Sequence, residues 1–567
     1  MSDLIRAELA RVAAFLDAPG AAFVLERPRD GGHGDLSTNL AMVLAKQQKT
    51  NPRALAERVI GMLDISTSAV SRVEIAGPGF INFWLAQDAL ATLLRTIIDT
   101  GAEYGKQSFG DDQRINVEFV SANPTGPLHV GHGRGAAMGD AIAELLTWTG
   151  HAVTREFYVN DAGAQIEKVR QSFWERVREA AGVPFVIPEG GYFGEYLREL
   201  AAQQVAERPA LLELARQSAS ADPVKAAAAH NEGLQKSTGT AMFLRLEQEL
   251  LLLKLGVKFD VWNSEQGVRD AGKVELALAL LAERGLTYEL DGALFLRTSD
   301  FGDDKDRVLR KSDGSLTYFV PDIAYHIDKH ERGFDRVIDV WGADHHGYIP
   351  RMRAVLRALG YGEDFFEVVL VQLVKVVKDG EEVRMSKRSG DFITLRELIE
   401  MAGGEGEDAL QRGKDATRYF FLMRQGQSPF TFDVNLARKQ TDENPVFYVK
   451  MAHARMSGIF RTADRNPASV TGDVQLDALP AEQDLELLKK LAVFPEVVAK
   501  AARAREPHRV TDYLEDLARI SHGWYHHCRV LGEPPATEAA RLALARAARI
   551  VLSNGLSLLG LSAPDRM

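Results

Sequence analysis

His129 and His132 stand three residues apart in Ala122-Asn-Pro-Thr-Gly-Pro-Leu-His129-Val-Gly131-His132. Two imidazoles on one side of a tight turn can both hydrogen-bond phosphate oxygens. Gly131, between them, lets the backbone approach a ligand closely. A helix starting here would add unpaired N–H groups and the positive end of its dipole, both of which suit phosphate. A second string, Arg384-Met-Ser-Lys387-Arg-Ser389-Gly390, follows about 250 residues later. A cationic loop of this kind can close over a triphosphate and neutralise the charge that builds on leaving pyrophosphate. Taken singly, the first string also reads as a loop with two satisfied surface histidines, and the second as solvated surface. Their presence in one chain favours phosphate chemistry.

The elements around the first string fit that reading. In Arg114–Val120, Ile115, Val117 and Phe119 alternate with Asn116 and Glu118, as in a strand. Gly131 to Trp148 reads as a helix and Ala152 to Val159 as a second strand. Strand, loop, helix, strand is the unit of a parallel sheet. Residues 165 to about 255 are rich in Ala, Leu, Glu, Gln and Arg and read as a helical insertion in the sheet domain. Strand-like runs return at Ala293–Leu296, Thr317–Val320, Val337–Trp341 and Val368–Val377. Residues 1 to about 105 mix an N-terminal helix, a glycine-rich loop at 30–35 and two short strands flanking Gly77-Pro78-Gly79, a small α+β domain. From about residue 396 the chain reads as helical to its end, with stretches at Asn444–Arg461, Glu482–Ala504, Val510–Val530 and Thr537–Leu559. The expected organisation is therefore three domains, 1–105, 106–395 and 396–567, the middle one a Rossmann-like α/β domain.

Composition sets outer bounds. A chain of 567 residues is too long for a single hydrophobic core. With one cysteine, Cys528, it can build neither a disulfide framework nor a cysteine zinc site, which suits a reducing compartment. Cys528 itself reads as a buried thiol and not as a nucleophile. No apolar run of membrane-spanning length and no signal-peptide pattern occurs, so a cytoplasmic protein without a membrane partner is expected. The net charge of -11 argues mildly against nucleic acid, although residues 501–550 hold 8 Arg against 6 acidic residues. Composition thus permits an RNA partner without indicating one.

The two chemical strings together resemble the HIGH and KMSKS motifs of class I aminoacyl-tRNA synthetases. HVGH is a close match. RMSKRS is looser: Arg384 stands for the first lysine and Arg388 is inserted before the serine, while Lys387 is kept. VEFVSANPTGPLHVGHGRGAAMGDA, REFYVNDAGAQI, LTYFVPDIAYHIDKH, VWGADHHGY, NPVFYVKMAHAR and the terminal LLGLSAPDRM resemble the arginyl-tRNA synthetase family, as do the N-terminal GDLSTNLAM and AGPGFINFWL. The likeness runs from about residue 30 to the end. It implies an ATP-dependent ligase that forms arginyl-adenylate and passes arginine to the 3′ end of tRNA(Arg). It also implies an N-terminal domain at the tRNA elbow and an all-α C-terminal anticodon-binding domain. Activation of arginine only once tRNA is bound is a further implication.

The resemblance also supplies a site. His129, His132 and Lys387 would be catalytic. ATP would be held by Asn123, Pro124, Gly126, His129, Gly131, His132, Arg384, Met385, Ser386 and Lys387, with Asp344 on the ribose and His345 on the adenosine or the amino acid. Arginine would meet Glu118, Ser121, Asn123, Tyr318 and Asp322, and tRNA would meet Asp35, Asn39, Tyr448, His453 and Arg455. A guanidinium offers five donors in a fixed fork and needs carboxylates and carbonyls around it, so Glu118 and Asp322 are the chemically telling pair. Each residue also has a plainer reading. Glu118 could be an edge-strand carboxylate facing water and Asp322 a helix N-terminal charge. His345 and His346 could be a surface pair, and Tyr448, His453 and Arg455 packing residues. Adjacent histidines diverge and no thiols accompany them, so no protein metal site and no structural zinc are expected; Mg²⁺ would come with ATP. The expected partners are tRNA(Arg), L-arginine and ATP, with no DNA, on a monomer. Rival readings are a class I synthetase for another amino acid, a nucleotidyltransferase and an RNA-binding paralogue without catalysis.

Overall fold

The computed structural model describes residues 2–28, 31–64, 70–237, 239–383 and 393–567. At its centre five strands pair side by side in parallel, in the order Phe366–Val371, Arg336–Gly342, Arg114–Glu118, Ala152–Val159, Val261–Ser264. The earliest strand in the chain, Arg114–Glu118, lies in the middle. The chain adds strands on one side and then crosses back to add Arg336–Gly342 on the other. The order therefore reverses between Arg114–Glu118 and Arg336–Gly342, and the C-terminal ends of those two strands open the crevice in which such sheets bind ligands. The histidine string follows one of them and GADHHGY the other.

The helix Val130–Trp148 crosses from the first strand to the second. Five helices between Ala164 and Leu255 separate the second strand from the third. Phe173, Trp174, Val177, Leu197, Leu211 and Leu214 give this insertion a core apart from that of the sheet. A small antiparallel sheet at 287–310 precedes the helix Phe319–Glu331, which leads into Arg336–Gly342.

The N-terminal unit is a four-stranded antiparallel sheet with helices Ser2–Phe15, Leu40–Gln48 and Pro52–Met62. Its hairpin turns at Gly77 and Gly79, both at positive φ. The unit is tied to the C-terminal helices. Asp35 pairs with Lys489 at 2.6 Å. Asn554 donates to the carbonyls of Gly101 and Tyr104 at 2.9 and 3.0 Å, and the Tyr104 hydroxyl to that of Leu491 at 3.2 Å.

Four elements differ from the sequence reading. Thr317–Val320 is not a strand: the helix starts at Phe319. Tyr318, Phe319 and Val320 favour strands locally, but Phe319, Val320, Ile323, Ala324 and Ile327 recur at helical spacing and are all buried. Pro321 sits in the first turn, where its missing N–H has no partner to lose. Val368–Val377 is two strands, Phe366–Val371 and Val374–Lys378, in separate sheets. The C-terminal region contains a strand, Phe430–Asp433, parallel to Val374–Lys378. The stretch Glu482–Ala504 is two helices, the second beginning at Phe494 with Pro495 in its first turn.

Candidate active site

His129 caps the helix Val130–Trp148. Its Nδ1 accepts from the N–H of Gly131 at 3.1 Å and of His132 at 3.4 Å, while His132 Nδ1 accepts from the N–H of His129 at 3.2 Å. The two rings stack with centroids 3.7 Å apart. An accepting Nδ1 leaves the proton of each neutral ring on Nε2, which makes that edge a hydrogen-bond donor. A β-carbon on Gly131 would sit 2.9 Å from His129 Cε1, so the glycine is what lets the ring close over the turn. The preceding turn is strained: Val120 has φ +69 and Ser121 φ +40, a conformation that β-branched valine rarely adopts. It is held by hydrogen bonds. The Ser121 hydroxyl donates to Glu118 Oε1 at 2.7 Å and accepts from the Tyr158 N–H at 3.1 Å. Asn123 Nδ2 donates to Gln165 at 2.7 Å, and Gln248 Nε2 to the carbonyls of Asn123 and Gly126 at 3.2 and 3.1 Å. Pro124 is buried beside them.

Asp322 lies in the first turn of the helix Phe319–Glu331 and accepts from the Tyr348 hydroxyl at 2.5 Å. Burial pushes its carboxyl up to about 6; the Tyr348 hydrogen bond and His326 pull it down, and the charges of Glu118 and Glu265 add to the rise. Among the described residues it has no ion-pair partner. Glu118 differs. Its neighbours are already polar: Lys329 Nζ donates to Glu118 Oε2 at 2.5 Å, and the Ser121 hydroxyl to the other oxygen. Glu118 does not face water either; it is buried beneath the helix. Lys329 is completely buried and also donates to Asp339 Oδ1 at 3.0 Å. His326 Nε2 reaches Asp339 Oδ2 at 3.1 Å, and its Nδ1 the carbonyl of Asp322 at 2.8 Å. Tyr318, at the head of the helix, is 77% exposed.

Lys329, His326 and Asp339 were missed by the sequence reading, though a signal existed. Asp322, His326 and Lys329 fall at i, i+4 and i+7 on one face of an otherwise apolar helix, and Asp339 interrupts the buried strand VIDVW. Asp344 and His345 are on the short 3-10 segment Ala343–Tyr348, both exposed, with 3.7 Å between Oδ2 and Nε2. Arg384, Met385, Ser386 and Lys387 lie outside the described residues. The chain beyond them returns to the histidine motif: the Leu395 N–H donates to the Leu128 carbonyl at 2.8 Å, and Thr394 bridges to His129.

Comparison with known proteins bears on what this crevice does. Residues 94–417 match the family model "tRNA synthetases class I (R), catalytic domain", 1–85 match "Arginyl tRNA synthetase N terminal domain" and 449–567 match "DALR anticodon binding domain". The chain is 46% identical over 552 residues to an arginine–tRNA ligase of Geobacillus kaustophilus, covering 96% of this chain and 94% of that one. The chain belongs to the arginyl-tRNA synthetase family. Another relative, the arginine–tRNA ligase of Desulforudis audaxviator, is 45% identical over 99% of this chain and 96% of its own. The fold is that of the Thermus thermophilus arginyl-tRNA synthetase, with TM-score 0.77, 23% identity and all of both chains covered.

The residues expected at tRNA differ in how the fold holds them. Asp35 and His453 make internal contacts. Asp35 is buried, with Oδ1 on Lys489 and Oδ2 accepting from the Leu85 N–H at 2.8 Å. His453 is 2% exposed and its Nδ1 donates to the Pro564 carbonyl at 2.9 Å. Asn39 precedes the helix Leu40–Gln48 and accepts from the Val24 N–H at 2.8 Å. Tyr448 and Arg455 converge on His522. The rings of Tyr448 and His522 are 4.5 Å apart, Arg455 donates to His522 Nδ1 at 2.8 Å, and the guanidinium lies 5.9 Å from the centre of the exposed Tyr525 ring. Cys528 is buried, which pushes its thiol up to about 11.

Proposed function

We propose that this chain activates L-arginine at the crevice between Arg114–Glu118 and Arg336–Gly342 and transfers it to tRNA(Arg). As a member of its family it is an arginine–tRNA ligase, a class I enzyme that works with ATP. The arginine carboxylate attacks the α-phosphorus of ATP, giving arginyl-adenylate and pyrophosphate; a ribose hydroxyl at the tRNA 3′ end then takes the arginyl group and releases AMP. The first step asks the protein for positioning and charge neutralisation more than for acid–base work. The Nε2 edges of His129 and His132, and the N-terminus of their helix, serve the phosphates. Lys387, with Arg384, Met385 and Ser386, closes on the pyrophosphate side. Asn123, Pro124, Gly126 and Gly131 shape the nucleotide pocket, and Asp344 and His345 sit on its ribose and adenosine side. Mg²⁺ would arrive with ATP, held by phosphate oxygens; among the described residues no three His, Cys, Asp or Glu side chains converge as a metal site.

The observation that carries the reading is Asp322: a part-buried carboxylate at the crevice with no ion-pair partner among the described residues. A guanidinium stays protonated at any usable pH and supplies that missing charge. Tyr318, Ser121 and Asn123 line its approach, and Glu118 forms the floor. Tyr448 and Arg455, beside the exposed Tyr525, suit stacking on unpaired anticodon bases. The N-terminal unit around Asn39 would meet the tRNA elbow. Domain limits near 105 and 395, a cytoplasmic location and a monomer complete the proposal. Pyrophosphate exchange with each of the 20 amino acids, with and without tRNA, tests it. Arginine alone should support exchange. Exchange driven by another amino acid would refute the substrate, and none with any would refute the activity.

A further inference from the structure

The loop from Ala122 to Leu128 leads from the first strand to His129, so its path decides where the two imidazoles stand. Its carbonyls are held from outside the sheet. Gln248 Nε2 donates to the carbonyls of Asn123 and Gly126 at 3.2 and 3.1 Å, and the Tyr196 hydroxyl to that of Thr125 at 2.6 Å. The Tyr196 ring also lies against Gly126, where a β-carbon would be 3.4 Å from its Cζ. Both side chains belong to the helical insertion: Tyr196 to the helix Glu195–Glu207 and Gln248 to the helix Thr240–Leu255. Among the described residues, the side chains that hold these three carbonyls all come from the insertion.

The two contacts are rooted in different places. Tyr196 packs on the insertion's own core. Gln248 is 2% exposed and stands one turn before Leu251, Leu252 and Leu255, which join the core of the sheet. An amide nitrogen carries two hydrogens, and both are spent on this loop. One amide bridging carbonyls three residues apart fixes the curvature between them, and Pro124 and Pro127 restrict φ at two positions of the same loop. With these oxygens engaged, the loop does not turn them towards a phosphate, which they would repel.

We propose that the helical insertion sets the position of the phosphate loop, with Gln248 and Tyr196 as positioning residues. Neither touches ATP or arginine in this account. Both act through the carbonyls of Asn123, Thr125 and Gly126, and so on the placement of His129 and His132; the inference rests on the reading above that this loop and these histidines serve ATP. Its consequence is a division of labour. Asp322, on a helix outside the insertion, holds the arginine side chain, whereas the insertion governs how fast the bound substrates react. A misplacement near 1 Å can cost about 10²-fold in rate.

The test uses the full-length enzyme with tRNA(Arg) present and reads pyrophosphate exchange per active site at saturating arginine and ATP. Gln248→Met keeps the length of the side chain and loses both donors. Tyr196→Phe keeps the ring and loses the hydroxyl. Gln248→Met should slow adenylation by about 10- to 100-fold and Tyr196→Phe by about fivefold, each with an arginine KM within about threefold of the unmodified enzyme. Leu214→Ala takes volume from the insertion's core and nothing from the groups that hold the loop. It should lower the melting temperature and leave the rate per active site unchanged. Should Gln248→Met fail to fold, the conservative Tyr196→Phe decides. An unchanged rate in that variant would overturn the proposal. So would a loss confined to the arginine KM, or a Leu214→Ala enzyme slowed as much as Tyr196→Phe, since the insertion would then act through stability alone. Any of these results in an enzyme that activates arginine leaves the proposed activity standing. An unmodified enzyme that activates no amino acid would remove that activity instead.

Discussion

Asp322 is the residue on which the chemistry turns, and its environment makes its role measurable. Burial raises its carboxyl to about 6, so protonation competes with guanidinium binding in an accessible range. The sign follows from the charge. Above pH 6 the carboxylate is present and arginine binds; below it the proton removes the attraction. Equilibrium arginine affinity should therefore fall toward tenfold per unit as pH drops below about 6, and be flat above 7. Calorimetric titration with arginine alone reads this without involving the histidines that serve ATP. Affinity unchanged from pH 7 to 5 would mean that Asp322 does not bear the substrate's charge. The neighbouring lesson concerns Glu118. Its residue type and its place at a strand end were plain from the sequence. That Lys329, 211 positions later, would be shared between it and Asp339 was not, because that pairing depends on how a helix lies across the sheet.

At the scale of elements, the histidine motif was legible because its signal is local. A strand, a proline-glycine loop and a helix start within about 20 residues fix where His129 and His132 must be. The structure adds the stacked capping arrangement and its dependence on Gly131. Gly131→Ala should separate the two. Alanine favours the helix by up to about 1 kcal/mol, so folding should hold or improve. The added carbon pushes His129 out of its stack, so adenylate formation should slow by about 10- to 100-fold while arginine binding is unchanged. Single-turnover adenylation together with a thermal melt checks it; full activity in a folded variant would show that the ring stack is incidental. The misread segment at Thr317–Val320 has the opposite cause. Three strand-favouring residues pointed one way, and the helical periodicity that overrides them becomes visible only beyond Pro321. The stripe of Asp322, His326 and Lys329 was present in the same segment and could have been read.

At the scale of the whole molecule, contacts far apart in sequence decide what each surface residue can do. Asp35 and His453 are of types that bind RNA, yet Lys489 and Pro564 claim them inside the protein. The helix Gln87–Thr100 packs on the final helix Pro535–Leu558, so a cut near residue 105 would strip the carbonyls that Asn554 uses. Removing residues 1–85 spares them. That truncation should remain folded and lose tRNA affinity by about tenfold, or about 1.4 kcal/mol, in a filter-binding assay. A folded truncation with undiminished affinity would take the N-terminal unit away from tRNA. The net charge of -11 is a sum over the whole chain and does not decide whether one face can meet RNA; some acids, such as Asp35 with Lys489 and Asp484 with Arg541, are held in internal pairs.

The central claim, that the Asp322 carboxylate selects arginine at a class I phosphate site, is tested most directly by Asp322→Asn. The amide keeps the shape and removes the charge, turning a charge-assisted hydrogen bond into a neutral one. Stability should not suffer. A carboxyl raised in the folded state loses stability as pH rises from about 4 to 6, and the amide is free of that loss. Steady-state kinetics varying arginine and ATP separately should give an arginine KM raised by roughly 10- to 150-fold, about 1.5–3 kcal/mol, with the KM for ATP nearly unchanged. A variant whose arginine KM is unaltered, or whose defect lies in ATP, would contradict the account.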